Sequence, residues 1–222
     1  MKLNKHYKDK LVLVDDKYLQ GGFCWINNDI RGQLLKDVNI LEYNILYPFI
    51  IIGLYDAGFI DVSEKDNIDR IRYFNNNRDM IKRDPSKYID ERTFSNRYYG
   101  KLVQKYPKQS ELVTQYMRHF WNDILEDNKD NIYYIDTHMV FYKGDLNITH
   151  DLGIPYTIKN IQYLYMEAKK RYTYLQDNRI VTKGYYTTKH PQGNPRYNGI
   201  AQQIENLIKQ ENRQDKLTQI GI

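Results

Sequence analysis

Two short segments of the sequence contain residue types that can bind ions and transfer protons. Glu42 lies near the end of an apolar run, residues 38–46, that we expect to form a strand. Asp136 and His138 lie two residues apart in a predicted β-hairpin, and side chains at positions i and i+2 of a strand share a face. We therefore expect Asp136 and His138 to project together, with Glu42 facing them from an adjacent strand. The simpler interpretations are a hydrogen-bonded sheet histidine and a charge on an edge strand.

A third segment, on a predicted helix between these two, carries basic and polar side chains. It begins at Arg92 and reads RTFSNRYYGK, whereas the segment that begins at Glu42 reads EYNILYP and the one around Asp136 reads YIDTH. Together these segments resemble the three polymerase motifs of family B DNA polymerases. The family patterns are D-x-x-S-L-Y-P, K-x-x-x-N-S-x-Y-G and Y-x-D-T-D.

The resemblance continues along the chain in the family's order. Lys170-Arg171-Tyr172 resembles the K-x-Y motif, Lys183-Gly184 resembles the K-G that follows it, and residues 18–22 resemble a Y-x-G-G loop with one residue too many. Each motif alone occurs by chance, but five or six in order over residues 18–185 are a specific signal. The resemblance implies a palm domain with a short fingers insertion. It leaves no room for the family's exonuclease domain and little for a thumb.

The resemblance also implies roles for individual residues. Those expected to hold two Mg²⁺ ions and to catalyse phosphoryl transfer are Glu42, Asp136 and His138. Those expected to bind the nucleotide are Tyr47, Arg92 and Asn96, with Tyr47 similar to the family's steric gate. Those expected to hold DNA along its backbone are Lys170, Tyr172 and Lys183.

This sequence departs from the family pattern at both metal positions. Glu42 replaces an aspartate, which keeps the charge and adds a methylene, and His138 replaces the second metal-binding aspartate. A neutral imidazole removes a negative charge and suits zinc or copper better than magnesium. In the helical motif, Arg92 replaces a lysine and Arg97 replaces a serine. We therefore expect a degenerate site that binds Mg²⁺ or Mn²⁺ weakly.

Three functions are open at this point, because a fold does not fix a function. The first is a palm protein that binds DNA or nucleotide, is accessory to replication and has lost efficient catalysis. The second is an active DNA-directed nucleotidyltransferase, dependent on Mn²⁺ or completed by a protein partner that supplies the missing polymerase parts. The third is a non-catalytic structural or interaction protein of a phage-type assembly.

The order of predicted elements is strands, then helices, then strands, which is typical of an α+β domain with an antiparallel sheet and helices on one face. The predicted strands cover residues 11–14, 23–26, 38–46, 132–137, 138–142, 161–166, 171–175 and 180–181. The predicted helices cover residues 48–57, 63–82, 85–106, 110–127 and 199–209, with caps at Ser63 and Asp84. We divide the chain into an N-terminal palm part (1–62), fingers-like helices (63–108), a C-terminal palm part (109–190) and a C-terminal loop and helix (191–222).

Composition sets broader limits on function. The chain has 222 residues, 41% of them hydrophobic and 27% charged, which is typical of a folded domain. The net charge of +5 permits nucleic-acid binding. No apolar run is long enough for a membrane span, and the N-terminus has no apolar signal core, so we expect a cytoplasmic protein without membrane contact. The 22 tyrosines, with abundant Asn, Ile and Lys, fit AT-rich codons and suggest a phage or organelle source.

Other polar residues have simpler interpretations. The single cysteine, Cys24, excludes an internal disulfide framework and any multi-cysteine zinc site. The other histidines lack the spacing of metal ligands; they are His6, His119, His150 and His190. A group of basic residues precedes the helical motif and could face a triphosphate, although a solvated helix face is the simpler interpretation; its members are Arg70, Arg72, Arg78, Lys82 and Arg83.

Overall fold

The structure is a computed structural model that describes residues 2–14, 22–177 and 179–184, with isolated positions between 202 and 213. Most of the Y-x-G-G-like loop, including Tyr18, lies outside the described residues. The predicted loop at residues 191–195 and most of the predicted helix over residues 199–209 also lie outside them. No described helix combines the length and the apolar character needed to cross a membrane.

A single seven-stranded antiparallel sheet forms the centre of the described fold. Its strands are β1 (Cys24–Ile26), β2 (Leu34–Tyr43), β3 (Ile132–Asp136), β4 (Met139–Tyr142), β5 (Tyr156–Ala168), β6 (Arg171–Gln176) and β7 (Arg179–Lys183). Their spatial order is β1-β3-β4-β2-β5-β6-β7. The long β2 is therefore central, and the β3–β4 hairpin lies directly beside it.

Six α-helices with defined bounds accompany the sheet in the described part of the chain. They are α1 (Lys5–Lys8), α2 (Leu46–Asp56), α3 (Lys65–Asn76), α4 (Arg78–Ile81), α5 (Pro85–Lys105) and α6 (Pro107–Asp127). The predicted cap of α5 is confirmed, because the Asp84 carboxylate accepts a hydrogen bond from the Lys87 N–H at 3.1 Å. Pro107 both ends α5 and opens α6, because the first turn of a helix tolerates a residue without an N–H.

Three local predictions are wrong. Residues 11–14 are not a strand, although Val12 binds the Gln115 side chain through its backbone. The cap at Ser63 is wrong, because a 3-10 turn over Val62–Glu64 precedes α3 and Glu64 is its N-cap. The helix predicted over residues 63–82 is divided in two, since Asn77 is both the C-cap of α3 and the N-cap of α4.

Two apolar clusters lie on opposite faces of the sheet. One contains Leu41, Tyr43 and Val140 from the strands, together with buried side chains of α1, α2, α3, α5 and α6. The other contains Ile40 and Phe141 and draws on the strands and a short 3-10 turn, with no α-helical residue among those described. The predicted α+β class, with an antiparallel sheet and helices on one face, is confirmed.

Candidate functional site

The two predicted carboxylates lie in one row across the sheet. Glu42 of β2 and Asp136 of β3 both pair with Met139 of β4, one from each side. Residues directly opposite each other in antiparallel strands project from the same face, so both carboxylates project from the face away from the helices. Two strand spacings, about 10 Å, separate their backbones.

The Glu42 carboxylate has two cationic or potentially cationic neighbours. Lys159 Nζ donates to Oε2 at 2.9 Å, and His138 Nε2 lies 3.6 Å from Oε1. His138 and then Lys159 lower the pKa of Glu42 to about 2, against the opposing effect of partial burial. Glu42 is therefore anionic at neutral pH and already paired.

Asp136 is buried, with 8% of the residue exposed, and its carboxylate has its own ammonium partner. Lys170 Nζ forms an ion pair with Oδ1, and the Thr137 hydroxyl donates to the same oxygen at 2.8 Å. Lys170 lies in the turn between β5 and β6 with a φ of 65°, and its N–H donates to the Tyr134 hydroxyl at 2.8 Å. This turn brings Lys170, which was predicted to bind DNA, into contact with Asp136, which was predicted to be catalytic.

His138 does not lie on a strand, so the expectation that it shares a strand face with Asp136 by i, i+2 spacing is wrong. Thr137 and His138 form the turn between β3 and β4, and Thr137 has a φ of 60°. The Trp121 indole N–H donates to the Thr137 carbonyl at 2.7 Å and holds the turn against α6. This turn brings His138 to Glu42.

A cavity of about 270 Å³ adjoins Glu42 and His138. The segment that follows β2 supplies one wall, which includes Tyr47, and α5 supplies Arg92 and Asn96. All three residues predicted to bind a nucleotide therefore line the same cavity as two of the three predicted catalytic residues. Asp136 does not line it.

Polar side chains that the motifs did not identify complete this cavity. Arg78 of α4 lines it, together with Asn75 of α3 and Ser95 of α5. The Arg78 Nε, both polar atoms of the Asn75 amide and the Ser95 hydroxyl are buried without a hydrogen-bond partner. Buried polar groups are rarely left unpaired, so these atoms are donors and acceptors beside the cavity that the described residues do not satisfy. Ser95 lies within the helical motif segment, and the sequence signal for Arg78 was the basic character of its segment.

Three other basic residues of that segment have ordinary ion-pair partners. Arg70 pairs with Glu91 at 2.9 Å, Arg72 with Asp56 at 2.5 Å and Lys82 with Asp79 at 2.7 Å. For these residues the structure fits the simpler interpretation of a charged helix face.

Tyr47 is packed against the motif helix. Its ring lies 4.6 Å from that of Tyr99, measured between centroids, and burial raises the pKa of its hydroxyl. The neutral phenol therefore forms a rigid wall of the cavity.

The residues predicted to bind DNA differ in accessibility. The side chain of Lys170 is 58% exposed, and Lys183 is exposed on β7 directly opposite Tyr172. Tyr172 is only 2% exposed and packs between Tyr134 and Phe141, with ring centroids 5.5 Å and 5.2 Å away. Its position is that of a core residue supporting the Lys170 turn.

Comparison with solved structures identifies polymerases of similar fold. The family B DNA polymerase from the hyperthermophilic archaeon Pyrobaculum calidifontis matches with a TM-score of 0.52 and 20% identity, over 74% of this chain and 29% of that one. Phi29 DNA polymerase complexed with primer–template DNA and incoming nucleotide matches with a TM-score of 0.57 and 12% identity, over 86% of this chain and 61% of that one.

These similarities show a polymerase-like palm fold, and the chain spans less than two thirds of the length of either polymerase. Phi29 DNA polymerase complexed with single-stranded DNA also matches, with a TM-score of 0.54 and 14% identity, over 83% of this chain and 59% of that one. No protein-family model matches the sequence, and no curated protein matches it.

Proposed function

We propose that this protein is a family B-like polymerase palm that binds DNA and nucleotide and serves an accessory role in replication, with a degenerate catalytic metal site. The observation that carries the proposal is the shared cavity. Glu42, His138, Tyr47, Arg92 and Asn96 come from three separate motifs, yet all line it. A chance set of motif matches would not be expected to converge in this way.

The cavity chemistry suits a phosphorylated ligand. Arg78 and Arg92 offer guanidinium groups, which bind phosphate oxygens through paired N–H donors. The unpaired Asn75 amide and Ser95 hydroxyl offer further donors and acceptors. We infer that the triphosphate of a nucleotide would contact this helical wall and that its sugar would lie near Tyr47.

The donor set does not fit two Mg²⁺ ions. Lys159 already neutralises Glu42, and Lys170 already neutralises Asp136. His138 offers nitrogen where Mg²⁺ prefers oxygen. Among the described residues, the three do not form a group whose ligand atoms all lie within 4.8 Å of one another. We therefore propose weak binding of Mg²⁺ or Mn²⁺ and assign no metal-dependent step to this site.

DNA binding is proposed to depend on exposed lysines near this face. Lys170 and Lys183 are accessible, whereas buried Tyr172 would act by positioning the Lys170 turn. Each lysine that neutralises a phosphate adds about 0.9 to the salt dependence of log K for a duplex.

Fluorescence anisotropy with duplex DNA tests this part. We expect affinity to fall steeply with salt. The double change Lys170→Ala, Lys183→Ala should weaken binding and lower the salt slope by about 1 to 2, because Lys170 is already paired with Asp136. Lys129→Ala is the matched control, because Lys129 is exposed near the opposite end of β3. Absence of binding by the wild type at low salt would eliminate the DNA-binding proposal and favour a structural protein.

An active polymerase, completed by a second chain, is the alternative function. It is favoured by the two carboxylates, Glu42 and Asp136, which lie in one row across the sheet. Primer extension separates the two proposals. We expect no detectable extension with Mg²⁺ and at most slow extension with Mn²⁺, because loss of one electrostatic contact typically lowers a rate by about 10²–10³.

The double change Glu42→Asp, His138→Asp is tested in the same primer-extension assay for a gain of activity. It restores the family's carboxylate set and should raise any residual extension. Robust Mg²⁺-dependent synthesis by the wild type would reject the degenerate site and support the alternative.

A further inference from the structure

We infer that His6, Asp123 and His150 form a binding site for a divalent transition-metal ion, with Zn²⁺ as the best match. Within the part of the chain that the structure describes, this is the single group of three or more His, Cys, Asp or Glu residues whose ligand atoms all lie within 4.8 Å of one another. The site is separate from the cavity of the proposed function.

Three separate segments supply the three side chains. His6 belongs to α1, Asp123 to α6 and His150 to the segment between β4 and β5. His6 Nε2 lies 2.7 Å from Asp123 Oδ2, and the two imidazole rings lie 4.2 Å apart between centroids, with their planes tilted by 30°. Convergence of such distant positions on one point is not explained by local sequence.

The ligand types indicate the ion. Two imidazoles and one carboxylate are typical of zinc and related transition metals, and they do not match the all-oxygen coordination of Mg²⁺ or Ca²⁺. Tetrahedral coordination with bonds of about 2.0–2.1 Å separates ligand atoms by about 3.4 Å. His6 Nε2 and Asp123 Oδ2, now 2.7 Å apart, would have to separate slightly to reach that spacing, and His6 is exposed enough to admit the ion.

Tyr7 supports the site from below. It is 1% exposed, and its ring makes edge contacts with the rings of His6 at 4.9 Å and His150 at 6.0 Å between centroids. Groups that orient metal ligands in this way contribute to affinity, because they restrict the ligand side chains to one arrangement.

Lys10 provides a second indication that the site attracts cations. Its Nζ lies 2.9 Å from His6 Nε2 and 3.8 Å from Asp123 Oδ1. A bound ion would have to displace this ammonium group, and the Lys10 side chain is 39% exposed and can turn toward solvent. The removal of Lys10 should therefore strengthen metal binding.

The ion would cross-link the N-terminal segment to α6 and to the segment before β5. A ligand that binds the folded chain alone stabilises it by mass action. At 100 times the dissociation constant, Zn²⁺ should raise Tm by about 5–10 °C for a chain of this size.

Isothermal titration with ZnCl₂ tests the inference, with Tm measured alongside. We expect one Zn²⁺ per chain. His6→Ala and His150→Ala should each lower affinity by at least about 10–100-fold, the effect that loss of a supporting group alone can cause. Lys10→Ala should increase affinity, a result that general destabilisation would not produce.

His138→Ala is the control for zinc held near Glu42. Unchanged Zn²⁺ affinity in this variant supports the inference. Loss of Zn²⁺ binding in His138→Ala, with retention in both His6→Ala and His150→Ala, would overturn it, as would no Zn²⁺ binding by the wild type. Neither result bears on DNA binding, so this inference and the proposed function are tested separately.

Discussion

At the scale of single residues, the acidic side chains of the candidate site are balanced by lysines of the same chain. Glu42 is paired with Lys159, and Asp136 is paired with Lys170. An internal ammonium stabilises a carboxylate without any metal, since opposite charges at this distance favour the ionised form. These pairs keep both carboxylates ionised without any bound ion.

Gly184 provides a residue-scale prediction. Its φ is +78°, and a Cβ placed there would lie 1.8 Å from the Lys170 carbonyl oxygen. Gly184→Ala should therefore both strain the backbone and push the Lys170 turn aside, with a loss of about 2–4 kcal/mol in the free energy of unfolding.

Urea unfolding measures this loss, and Gly144→Ala is the matched control. Gly144 has a φ of +73°, and a Cβ added there would meet no atom within 4 Å, so its change costs about 1 kcal/mol of backbone strain alone. Equal losses of unfolding free energy in the two variants would mean that the contact with the Lys170 carbonyl does not contribute to the effect of Gly184→Ala.

The motifs predicted five of the residues that meet at the cavity, but they also predicted Asp136, which does not line it, and they did not predict which lysines would pair with the carboxylates. Tyr47, Arg92 and Asn96 belong to the same set of motifs as Glu42, so the resemblance predicted that they would lie close to it. Lys159 is 117 positions from Glu42, and its pairing depends on the register of β2 with β5. The His6–Asp123 contact also spans 117 positions, which is why spacing alone gave no indication of it.

At the scale of elements, Glu64 connects the start of α3 to α5. It is 4% exposed and accepts hydrogen bonds from Lys105 at 2.6 Å, Tyr98 at 2.5 Å and Asn67 at 2.9 Å. Burial alone would raise the pKa of Glu64, but these donors lower it to about 2 from an ordinary value of 4.5. The helices that line the cavity therefore depend on an ionised carboxylate.

Acid unfolding tests this connection. Because the folded-state pKa of Glu64 is depressed, its contribution is complete above about pH 4.5 and is lost as the pH falls toward 2. Glu64→Gln should lower stability at pH 7 by about 1–3 kcal/mol and should flatten the acid dependence between pH 4.5 and 2.

The control is Asp79→Asn, which removes the exposed ion pair with Lys82. Exposed pairs contribute little, so stability at pH 7 should not change measurably. An unchanged acid dependence in Glu64→Gln would contradict the assigned role of this carboxylate.

The predicted boundary of an element is correct where a local interaction fixes it. The Asp84-Pro85 signal gave the start of α5 because capping depends on neighbouring residues. The apolar run at residues 11–14 was wrongly predicted to be a strand. These residues form a connecting segment instead, in which Val12 and Leu13 are exposed. Tertiary contacts, not periodicity, decide such short runs. The four-part division of the chain stays a prediction.

At the scale of the whole molecule, the two longest helices differ in how firmly they are held. Both α5 and α6 have 21 residues, yet eleven residues of α6 are buried and only three of α5 are. Segments with little buried surface open locally at lower free energy than the core. The wall of the cavity formed by α5 is therefore expected to be the more easily opened part of the fold.

Hydrogen exchange provides the corresponding prediction. In the free protein, amides in the middle of α5 should exchange at least about tenfold faster than those in the middle of α6.

A deoxynucleoside triphosphate that binds Arg78, Arg92 and the unpaired Asn75 and Ser95 groups must hold α5 closed, because these residues lie on different helices. Binding should then slow exchange around residues 92–96 and leave α6 unchanged. Arg92→Ala should abolish that protection, whereas Lys87→Ala, a change at an exposed residue in the first turn of α5, should retain it. Equal protection of α5 and α6 in the free protein would contradict the argument from burial, and no effect of the nucleotide would contradict the proposed binding site.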